Sequence, residues 1–129
     1  MTKDNLQKSE LLRNTLRHSN VHDSVIKSID CDLENDKLKF TLFNPAKAEK
    51  TIICFEKVKL MLFINDNECE DDETVLFLGL EDDYSYLESK VKIEASKLSK
   101  CLYTVIQMFS ENEYHIAAEN IYLDIERQH

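Results

Sequence analysis

The sequence predicts a mostly β domain: a single antiparallel β-sandwich or meander of seven to eight strands with one N-terminal helix. From residue 21 onward, apolar residues alternate with polar ones at a period of two, which is typical of strands with one buried face. Residues 4–19 instead have helix-forming residues, with Asp4 as a suitable N-cap and Leu12 and Leu16 four residues apart. A chain of 129 residues with 43% hydrophobic content is the size of one domain, 1–129, with its antiparallel β core at 21–129.

Two hairpins and three further segments account for the predicted strands. The first hairpin has arms at 29–33 and 38–42 around a turn rich in Asn and Asp, and the last has arms at 102–109 and 114–125. Between them, 51–64 is a β-rich run whose later half is expected to be covered on both faces, and 74–80 is expected to behave in the same way. Val91, Ile93 and Ala95 alternate with charged residues as a further strand. Gly79 predicts a bulge or a close backbone approach.

Charge and glycine content exclude several classes of function. Acidic residues outnumber basic ones 25 to 16, and only three of the basic residues are Arg, so direct nucleic-acid binding is disfavoured. With one Gly and one Pro, the chain lacks the glycine-rich loops that hold nucleotide phosphates. No stretch approaches the roughly 20 apolar residues of a membrane span, and no signal-peptide core follows Met1, so the prediction is a cytoplasmic protein without a membrane partner.

Cysteine and histidine spacing indicates no reactive centre. The four cysteines form no Cys-x-x-Cys pair, which favours free thiols in a reducing compartment, and none lies beside an activating histidine. His18 and His22 have the spacing of two ligands on one helical face, with Asp23 next to them. The alternative is a helix C-terminus, where histidine complements the helix dipole. The sequence analysis therefore predicts no catalytic residue, no metal and no cofactor.

An acidic segment at 66–73 is the most conspicuous feature, and Glu81-Asp82-Asp83 follows the next strand. The segment lacks the turn glycine and the twelfth-position glutamate of a calcium loop. Two interpretations stay open: a solvated loop, or a surface that attracts a basic protein and anchors it on tyrosines, provided both acidic segments lie at one end of the sheet. The predicted partner-binding residues are Asp66, Glu68, Glu70, Asp71, Asp72, Glu73, Glu81, Asp82, Asp83, Tyr84 and Tyr86.

Several short motifs resemble a known group of proteins. His22-Asp23-Ser24-x-Ile26 precedes an alternating strand, followed by Leu38-x-Phe40-x-Leu42, the segment 53–58 and the C-terminal hairpin. From about residue 21 to the end, this layout resembles the small bacterial YxiG-like proteins and related immunity proteins found beside polymorphic toxin genes. The resemblance implies no catalytic residues. It implies a structural role for His22, Asp23 and Ser24, in which Asp23 or Ser24 bonds nearby backbone amides and fixes the start of the first strand.

Charge and resemblance together predict a non-catalytic cytosolic protein, monomer or homodimer, that neutralises a cationic toxin domain by covering its active site with an acidic surface. The alternative is a structural or regulatory adaptor that dimerises through an edge strand of the C-terminal hairpin. An enzyme is a third hypothesis, which stoichiometric zinc bound at His18 or His22 would support.

Overall fold

Six antiparallel strands form one sheet in the order β1-β2-β3-β6-β5-β4. The computed structural model describes residues 3–17, 21–65, 74–91, 93 and 95–127. The strands are β1 (Val25–Asp32), β2 (Lys37–Asn44), β3 (Glu49–Ile64), β4 (Val75–Glu81), β5 (Leu102–Met108) and β6 (Glu113–Arg127), and the helices are α1 (Lys3–Arg17), α2 (Ser85–Lys90) and α3 (Ala95–Leu98).

The long strands β3 and β6 pair along their whole length and belong to two four-stranded regions. β2 pairs only with the first half of β3, residues 49–55, whereas β5 pairs only with the first half of β6, residues 113–118. The β3–β6 register shifts between Val58 and Leu60, next to Lys57, which has φ 53°. A bulge of this kind bends a strand and increases its twist, so the sheet changes direction between its two regions.

The two edge strands approach each other at their N-terminal ends. Val25 and Thr74 form an isolated antiparallel bridge. The N–H of Asp23 donates to the carbonyl of Val75 at 2.9 Å, and the N–H of Val75 donates to the carbonyl of Ser24 at 2.7 Å. Because β1 and β4 lie at opposite edges, these bonds show that the sheet curls round on itself.

Apolar side chains form a cluster on each face of the sheet. The inner cluster contains Phe40 and Phe55, whose rings meet edge to face at 5.8 Å, and it is completed by residues of all six strands. The outer cluster lies beneath α2 and α3 and contains Leu87, Leu98, Cys101, Tyr103, Val105 and Ala117. Alternation along β5 separates the clusters, since Tyr103 and Val105 face outward while Ile106 faces inward.

The mostly β prediction is confirmed, and α1, Lys3–Arg17, overlaps most of the helix predicted at 4–19. The predicted number of strands is wrong, because the described chain has six rather than seven to eight. They form one continuous sheet, because β3 and β6 run through both of its regions. No helix among the described residues is long and apolar enough to cross a membrane.

None of the described residues of the strand expected at 91–95 is in a strand: Val91 follows the end of α2, and α3 begins at Ala95, while residues 92 and 94 lie outside the described residues. Ile93 is half-buried against the outer cluster, so the alternation there reflects packing of a connecting segment. Three apolar residues at a period of two do not distinguish a short strand from such a segment.

Candidate functional site

Residues of three neighbouring strands meet on the outer face of the sheet. The register pairs Phe77 with Gln107, Gly79 with Val105 and Glu81 with Tyr103, and on the other side of β5 it pairs Gln107 with Glu113 and Val105 with His115. Directly paired residues of antiparallel strands point to the same face. With Asp83 and Tyr86 added from the α2 side, these residues line a cleft of about 360 Å³, called here the acidic cleft: Phe77, Glu81, Asp83, Tyr86, Tyr103, Val105, Gln107, Glu113 and His115.

The imidazole of His115 lies at the floor of the acidic cleft and is 4% exposed. Its Nδ1 lies 2.5 Å from the hydroxyl oxygen of Tyr103, and its Nε2 lies 3.2 Å from Oε1 of Glu113. Burial raises the pKa of Tyr103 to about 12, with the charges of Glu81 and other nearby acidic groups adding to the effect. A carboxylate can only accept, so the hydrogen of the second contact lies on Nε2, and in the neutral imidazole Nδ1 would then accept from the Tyr103 hydroxyl.

Two partly exposed aromatic rings form the walls of the acidic cleft. Tyr86 is 40% exposed and stacks on His115, with ring centroids 4.9 Å apart, while Nζ of Lys90 lies 5.6 Å from the Tyr86 ring centroid. Phe77 is 45% exposed and its ring lies across Gly79: a Cβ at that position would be 2.4 Å from Cζ of Phe77. Glycine thus permits a close approach, as its position predicted, although the approaching group is a side chain.

Of the predicted partner-binding residues after β4, Glu81, Asp83 and Tyr86 line the acidic cleft. Asp82 instead forms an ion pair with Arg13 at 2.9 Å, and Arg13 also donates to the carbonyl of Leu80, so this contact ties α1 to the end of β4. The Asp83 carboxylate accepts from the hydroxyl of Ser85 at 2.5 Å and from its backbone N–H at 2.9 Å, at the start of α2, and these two bonds, the hydroxyl's first, lower the pKa of Asp83.

Tyr84 is half-buried. Its hydroxyl donates to the carbonyl of Cys101 and its ring stacks on Tyr103 at 6.0 Å. These contacts hold the segment before α2 against the outer cluster, which indicates a structural contribution from this side chain.

The other predicted acids, Asp66, Glu68, Glu70, Asp71, Asp72 and Glu73, lie outside the described residues, as does His18. The described residues on either side of the 66–73 segment have defined positions in the sheet. Ile64 pairs with Glu113, whereas Thr74 and Glu81 lie at opposite ends of β4. The flanks of the two acidic segments therefore do not share one end of the sheet. Glu113, beside Ile64, is the carboxylate of the acidic cleft nearest the 66–73 segment in the register.

Residues 22–24 join the two edges of the sheet. Ser24 N–H donates to the Val21 carbonyl at 2.9 Å, the Asn44 side-chain amide donates to the His22 carbonyl at 3.3 Å, and Asp23 has φ 70°. Asp tolerates this left-handed conformation better than most residues, which accounts for its position in the turn. The hydrogen bonds from this segment to Val75 come from the main chain.

The described cysteines are free, and Cys101 is buried. The pKa of the Cys101 thiol is raised to about 11, mainly by burial. The charge of Glu119 adds to this rise, and the charge of Lys59 opposes it. Little thiolate is present at neutral pH, so this sulfur is a poor nucleophile. Across the described part of the chain, no group of three or more His, Cys, Asp or Glu side chains is arranged to hold a metal ion.

The sequence analysis missed six of the nine residues of the acidic cleft, among them Phe77, Tyr103, Glu113 and His115. The final hairpin contained a signal for three of them. If Gln107 pairs with Glu113 across the turn, Val105 must face His115, and Tyr103 follows on the same side of its strand. No hairpin register could place Phe77 in the cleft, because two helices lie between β4 and β5 in the chain, so the pairing of these strands could not be read from a turn.

The fold and the site define a mostly β domain with an acidic, aromatic cleft on the outer face of its sheet. Compared with protein-family models and with curated proteins, the chain matches none. The resemblance to YxiG-like and immunity proteins therefore stays a prediction.

Proposed function

We propose that this protein is a non-catalytic, cytoplasmic protein-binding domain of immunity type, which recognises a basic toxin domain through the acidic cleft. The observation that carries the proposal is the meeting of three carboxylates, Glu81, Asp83 and Glu113, with the exposed rings of Phe77 and Tyr86. Carboxylates attract a cationic partner over long distances, and aromatic rings provide the desolvated area that holds it.

The burial of His115 and Tyr103, which are 4% and 3% exposed, supports binding rather than catalysis. A general base needs a ring nitrogen within hydrogen-bonding reach of the proton it removes. In this protein Nδ1 contacts Tyr103 and Nε2 contacts Glu113, so both nitrogens already have partners. The imidazole is an ordered part of the floor, and its ring supports Tyr86.

The net charge of −9 favours the same reading. An acidic protein approaches a basic partner faster than a neutral one does, and salt weakens this effect because exposed charges are screened beyond about 8–10 Å at physiological ionic strength.

Charge reversal at the acidic cleft tests the proposal. Wild-type protein, the variant Glu81→Lys/Asp83→Lys and the control Asp124→Lys/Glu126→Lys are immobilised and exposed to native lysate and to the product of the neighbouring gene. The control makes the same charge change at exposed positions of β6, nine or more residues along the strand from His115, which is roughly 30 Å of strand.

We expect wild type and control to retain a basic protein whose association at low salt is at least about tenfold slower with the cleft variant. The difference should shrink at high salt. Equal retention by the two variants, or recovery of no basic protein at all, would count against the proposal.

A structural adaptor is the second candidate, and one observation favours it. β5 covers β6 only as far as Ala118, so within the described chain the rest of β6, residues 119–127, has no strand on that side. An open strand edge can pair with a second copy of the chain. Sedimentation at micromolar concentration distinguishes the candidates, since a stable homodimer doubles the mass and a monomeric mass rejects it.

A further inference from the structure

We propose that the acidic cleft binds the guanidinium group of an arginine side chain presented by the partner. This inference rests on the protein-binding function proposed above, and it adds the chemical identity of the group that enters the cleft. It follows from the arrangement of carboxylates and rings, from a lysine that already contacts one ring, and from the size of the space.

The carboxylates surround the space from two sides. Glu81 and Asp83 come from the end of β4 and the segment before α2, whereas Glu113 comes from the first residue of β6, two strands away. The charges of all three reach the Tyr103 hydroxyl strongly enough to contribute to its raised pKa, after the larger effect of burial. A cation placed beside that hydroxyl would therefore be stabilised by the same charges.

A second, independent observation shows that the cleft rim accommodates a cation. One side of the Tyr86 ring stacks on His115 at 4.9 Å, and Nζ of Lys90 lies 5.6 Å from the same ring centroid. This is within the distance at which an ammonium group is attracted to the face of an aromatic ring. Lys90 belongs to the last turn of α2 and is exposed, so an incoming cation can displace it.

The surroundings favour arginine over lysine. A guanidinium is planar, stacks on aromatic rings and donates two parallel hydrogen bonds to a carboxylate, whereas an ammonium acts as a compact, strongly hydrated charge. Phe77 and Tyr86 supply the rings. Within the described part of the chain, the contact of Glu113 with His115 uses Oε1, which leaves Oε2 for a ligand. At about 360 Å³ the cleft is near the small end of ligand sites, which suits one side chain.

Short peptides test the assignment without a known partner. The probes are acetyl-Gly-Xaa-Gly-amide with arginine, lysine or citrulline at Xaa, and citrulline is the neutral analogue of arginine. Binding is followed by NMR through the ring signals of His115 and Tyr86. We expect the arginine peptide to bind at least fivefold more tightly than the lysine peptide, and the citrulline peptide to cause no saturable shift.

Matched variants separate the cleft from general charge. Glu113→Gln keeps a side-chain oxygen for His115 and should weaken the arginine peptide at least threefold, whereas Glu126→Gln, the same change far along β6, should have no effect. Lys90→Gln removes the competing cation and should strengthen binding about twofold.

Equal affinity for arginine and lysine peptides, shifts that map away from His115 and Tyr86, or equal effects of the two Glu→Gln variants would each overturn the arginine assignment. If the peptides fail while a basic protein still depends on Glu81 and Asp83, the arginine assignment alone is lost. If the protein partner is also indifferent to Glu81 and Asp83, the proposed function is lost with it.

Discussion

The hydroxyl oxygen of Tyr103 on β5 lies 2.5 Å from Nδ1 of His115 on β6, within hydrogen-bonding distance. Both residues are almost fully buried, yet they form the floor of a cleft whose walls are exposed. The contact depends on the hairpin register, since Val105, two residues beyond Tyr103, is the direct partner of His115. The Tyr103–His115 contact therefore affects both the stability of the sheet and the shape of the candidate site.

Stability at alkaline pH should depend on Tyr103. Its folded pKa of about 12 lies above the ordinary value of 10, so the folded state favours the neutral phenol. This contribution is complete below pH 10 and is lost as the pH rises from 10 to 12, because the unfolded chain ionises first. Urea unfolding between pH 7 and 11 should show stability falling above pH 10, in part also because burial raises the pKa of Cys101 and Tyr84.

Tyr103→Phe should be less stable at pH 7 by about 1–3 kcal/mol, because a buried ring nitrogen loses its donor. It should also lose less stability above pH 10 than wild type does. Tyr122→Phe, at a position 54% exposed, is the control and should follow the wild-type profile. Identical alkaline slopes for wild type and Tyr103→Phe would contradict this account.

Gly79→Ala should alter the acidic cleft more than it alters stability. The new methyl group would lie 2.4 Å from Cζ of Phe77, so that ring must leave its position over Gly79. Phe77 is partly exposed and can turn into solvent, so we expect a stability change within about 1 kcal/mol. The arginine peptide should bind more weakly.

A double-mutant cycle tests the cause, because Gly79→Ala should have almost no further effect on peptide binding once Phe77→Ala has removed the ring. Additive losses of affinity from the two substitutions would show that Gly79 acts by another route.

The left-handed backbone at Lys57, next to the bulge of β3, should tolerate glycine but not a β-branched residue. Lys57 has φ 53°, a left-handed conformation that costs an L-residue roughly 1–2 kcal/mol and is strained further by branching at Cβ. Lys57→Ile should therefore lower the free energy of unfolding by about 1–2 kcal/mol. Lys57→Gly should leave it within about 1 kcal/mol of wild type.

Lys39→Ile is the matched control for Lys57→Ile. Lys39 is also exposed and lies on a strand, but it is not among the residues with positive φ, and isoleucine has a good β propensity there. Equal destabilisation by the two isoleucines in a urea titration would show that the bulge conformation is not the cause.

Cysteine labelling should distinguish the described thiols. Cys31 is exposed and should react with iodoacetamide at pH 8 in the native protein, whereas Cys101 is buried and its pKa is raised to about 11. Mass spectrometry of peptides should find Cys101 modified only after unfolding in urea. Modification of both at similar rates in the native state would show that the outer cluster opens readily.

Several features of the fold followed from local pattern. The period of two in 29–33 and 38–42 predicted the β1–β2 hairpin, and the same pattern with a polar turn predicted the β5–β6 hairpin. Helix-forming residues between 4 and 19 predicted α1. These elements depend on neighbours in the chain, so their information lies within short windows of sequence.

At 91–95 the sequence could not distinguish a strand from a connecting segment. Ile93 packs against the cluster that contains Leu87 and Leu98, and an apolar residue between charged ones gives the same alternating pattern in either case. The sharing of β3 and β6 by two sheet regions was also not predictable. It depends on a bulge between Val58 and Leu60 and on pairing between residues as far apart as Glu49 and Arg127.

The sequence by itself determined the β-rich class, the helix at the start, the two hairpins and the excess of acid, because these follow from local periodicity and composition. Tertiary structure alone decided which acids share a surface: Asp82 pairs with Arg13, whereas Glu81 and Asp83 face a cleft with Glu113. The reason is physical. Strands distant in the chain set the register, and the register determines which side chains share a face of the sheet.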